Sequence, residues 1–106
     1  MKGENLGEFE ELVLLAVRAR GDAATGAAIQ EELERRADRA VTLGAIYAAL
    51  DRGERKGLVT SWLGAPVRKP GGRRRRHYAV TPAGERSLAE SRRVRESMWR
   101  AGEATT

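Results

Sequence analysis

Residues 71–81 read Gly-Gly-Arg-Arg-Arg-Arg-His-Tyr-Ala-Val-Thr, so four guanidinium groups run directly into a strand-like alternation that puts Tyr78 and Val80 on one face. A guanidinium keeps its charge at every physiological pH and presents a planar fork of donors that matches phosphate oxygens. A disordered basic tail would have polar neighbours and no apolar period. Here the cations are held out from a folded hairpin, and the ligand they suit is a polyanion. With Tyr78 and Val80 turned inward, alternation places Arg74 and Arg76 on their side and Arg73, Arg75 and His77 on the other. The end of strand pairing frees the cations nearest the tip, so contacts are expected from Arg68, Lys69, Arg73, Arg74 and Arg75 whatever their face.

Other chemistries find little support in the chain. There is no cysteine, which removes disulfides, thiolate nucleophiles and cysteine-ligated zinc. The single histidine, His77, stands in the arginine run, where no carboxylate is at hand to complete a metal site, so neither metal nor cofactor is expected. Ser61, Ser87, Ser91 and Ser97 have no candidate base by motif, and the acidic residues fall on solvated helix faces, so an enzyme is not expected. Of the 106 residues, 20 are Lys or Arg and 15 are Asp or Glu, a net charge of +5. Residues 41–81 alone hold nine basic and two acidic side chains, so the excess is local, as a binding face requires and general solubility does not. No apolar run reaches the ~20 residues that cross a bilayer and Met1 to Asn5 carry no signal pattern, so a cytoplasmic protein without membrane contact is expected.

Four helices and a hairpin must position these groups. In Leu6–Arg20, Phe9, Leu12, Val13, Ala16 and Val17 fit one face of a first helix. Leu14 and Leu15 fall outside that stripe, which leaves two readings: a dimer contact, or a helix sunk in a small core. Thr25 can cap a second helix to about Ala37, and Thr42 a third whose apolar positions are Leu43, Ile46 and Leu50 and which Gly57 closes. Leu58–Leu63 and Arg75–Thr81 read as paired strands around a long loop with two prolines and three glycines. Thr81-Pro82 then starts a fourth helix to about Ala101, with only Leu88, Val94, Met98 and Trp99 as large apolar groups, too few for a core and enough for a docking seam.

Three helices, a basic hairpin and a further helix are the element order of a winged helix-turn-helix domain with a C-terminal dimerisation helix. The expected fold is therefore mainly α with a small two-stranded β-wing: residues 7–81 form the DNA-binding domain, 82–101 the dimerisation helix, and 1–6 and 102–106 flexible ends. An α-helix some 10–12 Å across fits a major groove about 12 Å wide. The third helix is the candidate reader because its outward positions, Thr42, Ala45, Ala48, Ala49 and Arg52, are small or hydrogen-bonding. Arg52 reads either as a bidentate contact to guanine or as a solvated surface charge.

Leu43-Gly-Ala-Ile-Tyr-Ala-Ala-Leu-Asp-Arg, Glu54-Arg-Lys-Gly-Leu-Val and Gly71-Gly-Arg-Arg-Arg-Arg-His-Tyr-Ala-Val-Thr-Pro-Ala-Gly, with the opening Gly7-Glu-Phe-Glu-Glu-Leu-Val-Leu-Leu-Ala and Thr25-Gly-Ala-Ala-Ile, resemble the PadR family of bacterial transcriptional regulators. The resemblance runs from about Gly7 to Leu88. It implies a winged-helix homodimer, usually a repressor of transcription acting on double-stranded DNA, in which the last helix packs on the partner's first. Leu14, Leu15, Leu88, Val94, Met98 and Trp99 would then form the dimer interface. Tyr47 matches the family tyrosine of the third helix, its hydroxyl within reach of a phosphate or left in water. Trp99 resembles by placement the tryptophan that lines a small hydrophobic effector's cavity in multidrug-sensing members, and otherwise reads as a hydrophobic anchor. The chain departs from the family at Gly53, where leucine is common; Trp62 is a candidate to fill that space. Two further readings stay open: a nonspecific or RNA-binding protein, for which the chain has few aromatics to build a stacking platform, and a winged-helix module that recognises a protein.

Overall fold

The computed structural model describes residues 6–65 and 74–104. In chain order it comprises α1 (Glu8–Arg20), a 3-10 turn (Gly21–Ala23), α2 (Gly26–Arg36), α3 (Leu43–Arg55), β1 (Val59–Leu63), β2 (Arg76–Val80) and α4 (Pro82–Ala104). This is the winged helix-turn-helix arrangement followed by a long C-terminal helix.

Helices α2, α3 and α4 each begin where a threonine side chain satisfies an orphan amide. Thr25 Oγ accepts from the Ala28 N–H at 3.3 Å and Thr42 Oγ from the Ala45 N–H at 3.1 Å. Thr81 Oγ accepts from the Gly84 N–H at 3.0 Å and donates to the Gly57 carbonyl at 2.6 Å, which pins the start of α4 to the end of α3. At that end Gly57 takes φ +76°, and the Leu58 and Gly57 N–H groups donate to the Gly53 and Glu54 carbonyls at 2.8 and 3.0 Å. The reversal closes the last turn of α3 and lets Leu58 fold over it, as expected from the lysine-glycine-leucine step.

Val13, Ala16 and Val17 from α1, Ile29 and Leu33 from α2, Ile46 and Leu50 from α3, then Leu58, Val59, Tyr78 and Leu88 make one core. Five expectations from the sequence are corrected by the structure. Leu14 is 0% exposed and belongs to the interior of its own subunit, so it offers no surface to a second chain, whereas its neighbour Leu15 is 41% exposed. The cause is a small core that wraps more of α1 than one narrow stripe. Ala49 is likewise fully buried and not outward, while Leu43, placed in the apolar stripe of α3, is 40% exposed because it opens the helix beyond the edge of the core. Nor does Trp62 fill the space at Gly53: Val59 and Leu14 lie 3.5 and 3.7 Å from where a Cβ there would sit, and Trp62 stacks on His77 with ring centroids 5.8 Å apart. Finally, α4 continues through Ala104, past the expected end at Ala101.

The hairpin is antiparallel, with Ser61 opposite Tyr78 and Leu63 opposite Arg76. Its second strand is also gripped from behind. The Tyr78 N–H donates to the Ala24 carbonyl at 3.0 Å, Thr25 bridges to His77, and His77 Nδ1 lies 2.9 Å from the Asp22 carbonyl oxygen. The α1–α2 connection therefore fixes the angle at which the hairpin leaves the helices.

Candidate nucleic-acid interface

Helix α3 presents two unlike ends. Its first two turns expose Thr42, Leu43, Gly44, Ala45 and Ala48, all uncharged and mostly small. Its last two turns carry charges already engaged. Arg52 Nε donates to Glu10 at 2.9 Å, and Lys56 Nζ lies 3.3 Å from the same carboxylate. Asp51 pairs with Arg55 at 3.2 Å, and Glu54 accepts from Ser61 Oγ at 2.8 Å. Arg52, read from the sequence either as a guanine contact or as a solvated surface charge, is thus drawn back toward α1 by an ion pair that leaves its side chain 46% exposed. Sequence reading had no means of finding its partner, because Glu10 lies 42 residues away.

Glu10 itself is mostly buried beneath these cations. Burial disfavours its charge, yet hydrogen bonds from Arg52, the Gly7 N–H and Lys56 outweigh that and hold its carboxyl below the usual glutamate range. A second clamp joins α1 to α2: Arg20 donates to Glu32 at 2.8 Å and to Glu31 at 2.6 Å, and Arg36 closes on Glu32 as well. The Glu32 carboxyl is lowered chiefly by Arg20. Both clamps fix the helices among themselves and leave the N-terminal half of α3 uncommitted.

Tyr47 is 46% exposed on the solvent side of α3. Its ring lies across the first residue of α2: a Cβ at Gly26 would run into the tyrosine hydroxyl and stand 2.6 Å from Cζ. The hydroxyl therefore sits over a helix N-terminus, where amide dipoles favour an anion.

Of the expected hairpin contacts, Arg68, Lys69 and Arg73 lie outside the described residues. Arg74 and Arg75 are exposed at the root of the loop, Arg74 Nε donating to the Gly64 carbonyl at 2.9 Å. Arg76, on the Tyr78 side of β2, is not among the tip residues from which contacts are expected. Its Nη1 donates to Ser61 Oγ at 3.0 Å, and it lines a shallow cleft of about 450 Å³ with Tyr47, Ala48, Asp51, Glu54 and Tyr78. Arg76 of β2 and the exposed Tyr47 and Ala48 of α3 thus face one cleft.

The expected dimer residues divide. Leu88 is buried against its own domain, while Leu15, Val94, Met98 (68% exposed) and Trp99 (72% exposed) form an apolar strip along α1 and α4. Ion pairs flank it: Arg95 reaches Glu11 at 2.7 Å and Arg18 reaches Glu85 at 2.9 Å. Between α1 and α4 lies an open groove of about 530 Å³, lined in part by Leu15, Leu88, Ala89 and Trp99. No described helix is long and apolar enough to cross a membrane.

The family model described as the transcriptional regulator PadR-like family matches residues 13–90. Transcriptional regulator Rv3488 of Mycobacterium tuberculosis is 41% identical over 75 residues, which cover 71% of this chain and 65% of that protein. The chain thus matches somewhat under two-thirds of that relative's length. Among solved structures, a PadR-like transcription factor from Bacteroides fragilis superposes with a TM-score of 0.75 at 21% identity, covering 92% of this chain and 89% of that one. PadR of Bacillus subtilis, solved in complex with operator DNA, superposes with a TM-score of 0.65 at 18% identity over 78% of this chain and 45% of its own.

Proposed function

The chain belongs to the PadR-like family of transcriptional regulators, and on that premise we propose that it is a homodimeric, sequence-specific repressor that seats α3 in the major groove of duplex DNA and its wing on the flanking backbone. The observation that carries this reading is the shared cleft. Arg76 from β2 stands beside Tyr47 and Ala48 of α3, so one approach of a duplex meets both the wing cations and the small-residue face. A fold relative was crystallised on operator DNA, which supports the same docking here. Tyr47, with its hydroxyl over the start of α2, suits a phosphate and not a base, and so fixes the register of α3 in the groove.

The apolar strip formed by Leu15, Val94, Met98 and Trp99 is the surface for a second copy. A dimer places two readers on one face of the duplex, and the site then takes the form of an inverted repeat whose halves lie about one helical turn, ~34–36 Å, or a multiple of it apart. The groove at Trp99 suits a small hydrophobic effector, whose binding would alter the spacing of the two readers. Such a regulator works in the cytoplasm, where bacterial DNA lies.

Selection of bound sites from a random duplex library tests the reading directly. The expected product is a near-palindrome with the spacing above, protected from cleavage and bound with strong salt dependence. A protein that retains every sequence equally, or that prefers structured RNA in competition, is not such a repressor.

A further inference from the structure

The hydrogen-bonding inventory of α3 is short where the helix would enter the groove. Thr42 Oγ already accepts from the Ala45 N–H, and its hydroxyl is the only polar side chain among Thr42–Ile46. Ala45 and Ala48, three residues apart and both exposed, share one face and present two methyl groups. Leu43 extends that apolar surface toward the helix start. The groups that could read guanine or cytosine lie farther along and are occupied: Arg52 by Glu10, Arg55 by Asp51, Glu54 by Ser61.

A base edge pressed against alanine methyls loses water and receives no hydrogen bond in return. For the O6 and N7 of guanine or the amino group of cytosine that exchange is unfavourable; for the C5 methyl of thymine it is favourable, since two apolar groups leave water together. We infer that Ala45 and Ala48 read thymine, so that each half-site presents thymine methyl groups to the first two turns of α3. The inference deepens the proposed function and rests on it. It assigns base preference to shape and methyl burial, not to the bidentate hydrogen bonds that charged readers make.

The test uses the duplex enriched from the random library and the full chain. Each thymine of a half-site is replaced singly by deoxyuridine, which removes the methyl and leaves pairing and backbone intact. At one or two positions per half-site the affinity should fall about fourfold, the worth of one buried methyl group, and 5-methylcytosine opposite guanine at the same position should bind better than cytosine. In Ala48→Gly, checked by its thermal melt to be folded, the deoxyuridine penalty should shrink at one of those positions, and a penalty left whole at all of them would overturn the role given to Ala48. If every deoxyuridine duplex binds as the parent does, methyl readout is overturned although the protein remains a specific DNA binder. Enrichment of no sequence at all would instead remove the parent reading and this one with it.

Discussion

Glu10 gathers the Gly7 N–H, Arg52 and Lys56 around one carboxylate and so ties α1 to the far end of α3. Because its folded pKa is lowered, its contribution is present above the unfolded value, about 4.3, and is lost as pH falls through the folded one. Glu32 obeys the same sign. The melting temperature should therefore decline on acidification below that range, and Glu10→Gln, less stable at neutral pH, should show a shallower decline in melts recorded across pH. Gly53 gives the opposite expectation. A Cβ there meets Val59 and Leu14 at 3.5 and 3.7 Å, ordinary contact distances, in a helix interior where alanine is favoured over glycine. Gly53→Ala should stabilise the domain by about 0.5–1 kcal/mol, visible as a rise in denaturant midpoint at unchanged slope; a lower midpoint would mean the site is tighter than it looks. On the wing, Arg76→Ala should weaken binding to all duplexes alike and reduce the salt slope of log K by roughly one. A change confined to the selected site would make Arg76 a base reader.

Helices and strands here are held by close approach as much as by propensity. Gly84 in the first turn of α4 lies against Leu58, just before β1, and the end of β2: a Cβ would press into the Leu58 carbonyl and come within 2.6 Å of Val80 Cγ1. Gly84→Ala should force α4 away from the hairpin and cost on the order of 1–3 kcal/mol, with the loss of stability appearing in melts and not as a selective loss of DNA affinity. At Gly26 the obstruction is Tyr47, a side chain that can move. Gly26→Ala should leave the fold largely intact and displace the phenol from the start of α2, lowering DNA affinity several-fold, on the scale of one charge-assisted phosphate contact. Equal affinities of wild type and variant in anisotropy titrations would detach Tyr47 from the backbone.

As a whole the subunit measures 62 × 31 × 20 Å, an elongation caused by α4 running out beyond the core with Val94, Met98 and Trp99 exposed. A partner strip of the same kind is the simplest cover for that surface. Met98→Glu, at a side chain 68% exposed in its own subunit, should shift the protein to a monomer in sedimentation, keep the domain folded, and lower affinity for the two-half-site duplex far more than for a single half-site. A dimer unaffected by the charge would place the interface elsewhere.

The starts of α2, α3 and α4 and the stop of α3 were legible in the chain, because Thr25, Thr42 and Thr81 cap and Gly57 reverses the backbone through interactions that span a few residues, whereas α4 ran on to Ala104 with no such local stop. The arginine run and the β alternation likewise disclosed a basic wing and which face Arg76 takes. What local pattern could not disclose is how helices meet. Leu14 and Ala49 went inside and Leu43 outside because burial is decided by which neighbours arrive, not by the period of one helix. Arg52 was drawn to Glu10, and the open face of α3 was left to alanines, because ion pairs between residues 42 apart exist only once the chain has folded.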